Sequence, residues 1–328
     1  MEILWLAVLG FLLTGYFVLG GYDYGVQMLF PLAGRDRRVL AALGPFFFGN
    51  EVWLIAFGGV LFGAFPFLEG TLLSGLYPLI VTLLLGLAAG KAAVQLRGRT
   101  QSRTGRAIWG VLIASGGLIP ALVLGSLIAL LLTGVRLRGG HTFDLPPADL
   151  FHPFVLLSGL TMVLVLAGHG GAFLALRATG DLAAFARTAT GRALAGAAAG
   201  VAVTYAAGVL LGIRPPNPGP ASVTAALMAA LLLAGRSALR AGRSGLAFAA
   251  TSAAAGAPVL LAGLATHPYV LASSIADHHG ITVTEAAADG ATLQVLTAFG
   301  IVIIPVMLAY QAFGWWIFRG HVDAPDYF

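Results

Sequence analysis

Cysteine is absent from the 328 residues, which excludes disulfides and thiolate metal sites. Charge is nearly absent too: 9% of residues are Asp, Glu, Lys or Arg, against about 25% in a soluble domain. With 59% hydrophobic residues and a mean hydropathy of +0.92, no water-facing shell of ordinary composition can be built. The chain reads as an all-α integral membrane protein, one polytopic domain over 1–328. Catalytic signatures are missing as well. There is no HExxH, no GxSxG, no CxxCH and no GxxxxGK[ST]. A self-contained active site and a metal site are therefore not expected. The start, MEILWLAVLGFLL, lacks a basic segment and reads as a first span, not a cleaved signal peptide.

Apolar stretches long enough to cross a bilayer fall at about 4–31, 40–65, 72–95, 107–134, 152–176, 190–212, 220–235, 245–271 and 291–318. The seventh is the shortest. Nine spans put the termini on opposite sides, and the basic residues support the count. All but Arg136, Arg138 and Arg214 of the 18 basic residues fall in alternate connections or the C-terminal tail. Lys91 is counted with Arg97, Arg99, Arg103 and Arg106 in one of them. By the positive-inside rule, the N-terminus is expected outside and the C-terminus in the cytoplasm. The net charge of +5 then reflects topology, and nucleic acid is not an expected partner. The longer outer connections carry Asp144, Asp149, Asp277, Glu285 and Asp289, with His278 and His279 in a solvated loop. The pairs Gly21/Gly25, Gly59/Gly63, Gly86/Gly90, Gly196/Gly200 and Gly208/Gly212 are expected to let helices approach closely.

Few polar side chains lie within the spans. Glu51 sits in LAALGPFFFGNEVWLIAFGGVLFGAF (Leu40 to Phe65). In a continuous helix it would be roughly a dozen residues, ~18 Å, from either end. A charge at that depth costs at least about 2.5–3.5 kcal/mol, so the residue reads as functional or as a protonated acid facing protein. Asp23 lies in the preceding span, nearer its cytoplasmic end. Two acids at different depths on adjacent helices suit a proton relay, and equally suit hydrogen bonds that fix helix register. His169 is the one histidine clearly within a span. A five-coordinate haem could use it, but an interhelical hydrogen bond is the stronger reading.

Two stretches carry a resemblance. Gly21-Tyr22-Asp23-Tyr24-Gly25-Val26 is similar to the G-[FY]-D-x-G-V of subunit II of the cytochrome bd-type quinol oxidases. Gly44 to Leu54, GPFFFGNEVWL, resembles that family's G-P-x-W-D-G-N-E-V-W-L. Arg97, Pro120, Pro153-Phe154, His169-Gly170, Arg177, Pro268, Ser273-Ser274, Pro305, Tyr310 and Trp316 extend the likeness along the chain. The resemblance implies a multi-pass subunit of a prokaryotic cytoplasmic membrane, embedded in lipid and paired with a haem-bearing subunit I. That partner would oxidise quinol and reduce dioxygen to water. The haems belong to the partner; a structural quinone in this chain and a small accessory subunit occur in some members. The proton-path candidates are Glu51, Asp23, Asn50, Trp53 and His169. Phe48 and Gln95 stand where the family has acids, which leaves Glu51 as the main intramembrane acid. The rival readings are a secondary transporter coupling protons or cations through Asp23 and Glu51, and a purely structural scaffold.

Overall fold

The structure, a computed structural model, describes residues 1–44, 46–138, 142–275 and 280–322. Asp277, His278 and His279 lie outside the described residues, as does the side chain of Asp144. The chain begins with α1 (Glu2–Leu29), a short α2 (Arg37–Leu43), α3 (Glu51–Ala64), α4 (Pro66–Gly75) and α5 (Tyr77–Leu96). A 3₁₀ turn (Arg97–Arg99) leads into α6 (Arg103–Thr133) and the hairpin of β1 (Arg136–Arg138) and β2 (Thr142–Asp144). After a single turn, α7 (Pro147–Leu150), come the long helices α8 (Pro153–Arg177), α9 (Gly180–Leu210), α10 (Pro218–Arg240) and α11 (Ser244–Thr266). The strands β3 (Tyr269–Leu271) and β4 (Ile281–Thr282), a turn α12 (Val283–Ala286) and α13 (Gly290–Ile317) complete it.

Eight of these helices are long and apolar enough to cross a membrane, and the bent pair α3–α4 makes a ninth crossing if taken as one span. The seventh expected span, short in the sequence, is the 23-residue α10. The second departs most from expectation. The stretch read as one helix through Leu40 to Phe65 holds α2, a non-helical turn over 46–50, and a 14-residue α3. A proline cannot donate to the helical ladder, and the run carries one at position 45 of the sequence. Pro66 is another: it starts α4, which leaves the axis of α3 by 118°. Glu51 is therefore the first residue of α3 and not the midpoint of a helix, and the burial cost estimated for that midpoint does not apply.

The connections sort onto two sides, as the alternation of arginines implied. On the arginine-rich side, Arg38 reaches Asp181 at 3.1 Å, and Val322 N–H donates to Arg177 C=O at 2.9 Å. On the other, Val135 pairs with the 272–274 segment, and Ala288 N–H donates to Ala64 C=O at 2.9 Å. Some of the glycine pairs pack helices. A Cβ on Gly25 would stand 2.0 Å from Leu166 C=O, so α1 and α8 cross backbone to backbone. A Cβ on Gly116 would stand 2.2 Å from Gly90 Cα, which brings α5 against α6 just as closely. Gly59, by contrast, faces open space, and so do Gly212 and Gly58. Helix α13 stands at the edge, with only Leu293 and Met307 buried.

Asp289 caps α13 by accepting from Ala291 and Thr292 N–H at 2.9 and 3.0 Å. The Thr292 hydroxyl and these amides hold its carboxyl below the usual range. A group with a lowered folded pKa stabilises above its unfolded value and loses that contribution as pH falls through the folded one. Asp289→Ala should therefore speed amide exchange at Ala291 and Thr292 at neutral pH. The difference from the parent protein should vanish in acid.

Candidate functional site

Lys91 holds the site together. It lies on α5, about a turn and a half from that helix's end, inside the bundle and not in the connection where the count of basic residues placed it. Its Nζ is 3.2 Å from Asp23 Oδ2 and 2.9 Å from Glu51 Oε1. The contact with Glu51 is close in distance but off the line of a hydrogen bond. Lys91 also donates to Phe47 C=O at 2.6 Å and sits 3.6 Å from the centre of the Phe47 ring. Asp23 is wholly buried, whereas the Glu51 side chain is 23% exposed and Lys91 14%. The two acids are thus brought to one ammonium. They do not stand at separate depths.

The broken second span makes this arrangement possible. The turn over 46–50 carries Phe47 C=O and Asn50 inward against α1, and α3 then starts at Glu51. Asn50 Nδ2 donates within 2.8 Å of the Tyr22 hydroxyl and 3.2 Å of both Asp23 oxygens, and reaches Leu19 C=O at 3.1 Å. A buried carboxylate costs several kcal/mol unless paired and hydrogen-bonded, and here an ammonium and an amide meet that need. Trp53 Nε1 donates to Gln311 Oε1 at 3.3 Å, and Gln311 Nε2 approaches Asn50 Oδ1 at 3.5 Å. Through Gln311, α13 is tied to the cluster.

His169 stands apart from it. One ring nitrogen is 2.9 Å from Val18 C=O and the other 3.0 Å from Thr251 Oγ1. Its ring stacks on Phe248 with centroids 5.1 Å apart. With both nitrogens engaged, the residue does not fit the axial position of a haem, and it joins α8 to α1 and α11. No group of three potential metal ligands occurs among the described residues. An aromatic wall closes the floor of the cluster: Tyr22 stacks on Phe173 at 4.3 Å, and Trp315 packs against Phe46 at 4.9 Å. Arg177, buried under Phe46, donates to Phe318 C=O at the end of α13. Elsewhere, an apolar cavity of about 160 Å³ lies between α8, α9 and α10, lined by Phe154, Met162, Tyr205 and Met228. It is separate from the Lys91 cluster and smaller than the roughly 300–1,000 Å³ of ordinary ligand pockets.

Sequence reasoning missed Lys91, Tyr22 and Gln311 as members of the site. A signal for Lys91 was present: Leu83 to Val94 is otherwise uncharged, so that lysine interrupts an apolar helix face. Phe48, three residues before Glu51, is 61% exposed.

A family model described as cytochrome bd terminal oxidase subunit II matches residues 1–318. Cytochrome bd ubiquinol oxidase subunit 2 of Bacillus subtilis is 28% identical over 325 residues, covering 98% of this chain and 96% of the relative. Cytochrome bd-I ubiquinol oxidase subunit 2 of Escherichia coli K12 is 29% identical over 365 residues, covering 99% and 96%. The bd oxidase structure from Geobacillus thermodenitrificans superposes with a TM-score of 0.73 at 17% identity, over 97% of this chain and 98% of that one.

Proposed function

Because the chain belongs to the cytochrome bd terminal oxidase subunit II family, we propose that it is the haem-free membrane subunit of a quinol-oxidising, dioxygen-reducing complex in a prokaryotic cytoplasmic membrane. In this reading a haem-bearing subunit covers its α3–α5 face, and the Asp23–Lys91–Glu51 cluster passes protons toward that partner. The transporter alternative has no observation in its favour.

The observation that carries the reading is the half-open Lys91–Glu51 pair. Glu51 is partly exposed between Phe48 and Ile55, which are 61% and 72% exposed. A lipid tail cannot solvate a carboxylate, so a protein surface is the fitting cover for this side of the bundle. The chemistry follows from the charge count. Two carboxylates and one ammonium carry a net charge of −1, and one added proton makes the site neutral. A proton delivered to either acid brings the site to neutrality and adds no net charge to the interior, which suits a relay. Lys91 sits between the two acids, Asn50 orients Asp23, and Glu51 faces the side where the partner would receive the proton. The arginine-rich side, which the positive-inside rule assigns to the cytoplasm, is the supply.

The test is Glu51→Gln in the complex purified through this chain. Haem bands should be present and their amount per chain unchanged, while oxygen consumption and proton uptake fall at least about tenfold, in the range of a lost proton-transfer group. Undiminished oxygen consumption would remove the proton role. A colourless preparation would remove the haem partner.

A further inference from the structure

The arginine-rich side of the bundle holds more cations than its acids balance. Asp36 and Asp181 are both engaged by one guanidinium, that of Arg38, at 2.6 and 3.1 Å. Just before them the chain leaves α1 and turns through Gly34 and Arg35, at φ +67° and +61°. The second of these is an uncommon backbone state for a residue with a side chain. It lays Arg35 along α6, with Nε 3.3 Å from where a Cβ on Gly110 would stand. Arg106 is four residues before Gly110 and shares its face of α6.

Arg97 completes the group at the end of α5. Its guanidinium lies 4.9 Å over the Phe30 ring. Its Nε is buried and has no hydrogen-bond partner among the described residues. The charges that bear on it most are those of Arg35, Arg37 and Arg106. Like charges gathered on one rim repel one another, and an anion among them would relieve that repulsion and offer an acceptor to the guanidinium of Arg97. The surroundings indicate what kind of anion. Leu32, close in sequence to this turn, is strongly exposed, and so are Ile108 and Val111 on the outward face of α6, so apolar surface adjoins the charged rim. A ligand that fits both parts has a phosphate at one end and hydrocarbon at the other.

We propose that Arg35, Arg97 and Arg106 form a binding site for the phosphate of an acidic phospholipid, whose acyl chains lie along the start of α6. Such basic pockets at a membrane surface draw about 1 kcal/mol of attraction from each arginine, so each one removed should weaken binding about fivefold. The site lies on the side away from the 134–152 and 267–289 connections and takes no part in the Lys91 cluster.

The test uses the whole complex, delipidated in detergent and then offered dioleoylphosphatidylglycerol or dioleoylphosphatidylcholine, with retained lipid read by native mass spectrometry. The parent protein should retain phosphatidylglycerol in preference. Arg35→Gln and Arg106→Gln are exposed changes that leave the helices intact. Each should weaken retention about fivefold, and the pair about thirtyfold. Arg243→Gln, on the same side but in the α10–α11 turn, should change nothing. Equal retention of the two lipids, or equal loss in Arg243→Gln, would overturn the site in favour of diffuse surface charge. Displacement of phosphatidylglycerol by millimolar inorganic phosphate would overturn the lipid and leave a soluble anion as the ligand.

Discussion

Lys91→Met should destabilise the protein by about 3–5 kcal/mol, the range for removing one partner of a buried ion pair. The side chain keeps its length and its apolar stem, so packing is little disturbed. What is lost is the one cation paired with Asp23 among the described residues, and Asp23 is fully buried. Phe47 C=O loses its lysine donor in the same step. Denaturation of the detergent-solubilised complex measures the effect. The decisive comparison is the double variant Lys91→Met/Asp23→Asn. Replacing both members of a buried pair by neutral groups is often close to neutral, and an Asn at position 23 can still meet Asn50. The double variant should therefore recover most of the stability lost by Lys91→Met alone, while remaining inactive in proton uptake. A loss below about 1 kcal/mol in the single variant would put the pair in the class of surface salt bridges. The charge argument for the site would then fail.

That lysine also shows where reading the sequence stops. Spans, their order and the segregation of arginines follow from hydropathy and charge, which are local quantities, and the structure has eight of the nine spans as single helices. The order of the spans put Asp23 and Glu51 on adjacent helices, at different depths. The shape of their neighbourhood depended on a break that hydropathy does not register. The residues from Gly44 to Asn50 are as apolar as the helices on either side, so the run looked continuous although its backbone turns. The prolines at 45 and 66 were the available signals, and Pro66 marks a place where the run gives way. Lys91 was read as a loop residue because a cation at the end of an apolar run usually is one. Its turn inward toward two acids is a tertiary event. Gln311 lies far along the chain and could be joined to Asn50 and Trp53 only by folding. For His169 the hydrogen-bonding reading matches the observed contacts with Val18 and Thr251, because a neutral imidazole in a bundle needs a partner for each nitrogen.

A single methyl group at Gly25 should be as damaging as the loss of Lys91. Its Cβ would stand 2.0 Å from Leu166 C=O and 2.7 Å from the Gly170 backbone. Both obstacles are main chain, so no rotamer change relieves them, and α1 must move away from α8. Overpacking typically costs 1–3 kcal/mol where side chains can yield. Gly25→Ala should reach or exceed the top of that range, about 3 kcal/mol, because here they cannot. Gly263 on α11 has nothing within 4 Å of the same position, and Gly263→Ala should be neutral or stabilising by up to about 1 kcal/mol from helix propensity. The pair of variants separates crossing geometry from the general effect of removing a glycine. The position also bears on the site, since Gly25 lies two residues past Asp23 on α1. Withdrawing α1 from α8 displaces the carboxyl that Lys91 and Asn50 hold at 3.2 Å. Oxygen consumption should therefore fall in Gly25→Ala even in the fraction that assembles with full haem content, and stay unchanged in Gly263→Ala. Full activity in the assembled Gly25→Ala fraction would mean that the Asp23 contacts tolerate a shift of their helix, and that the cluster needs less precise placement than its distances imply.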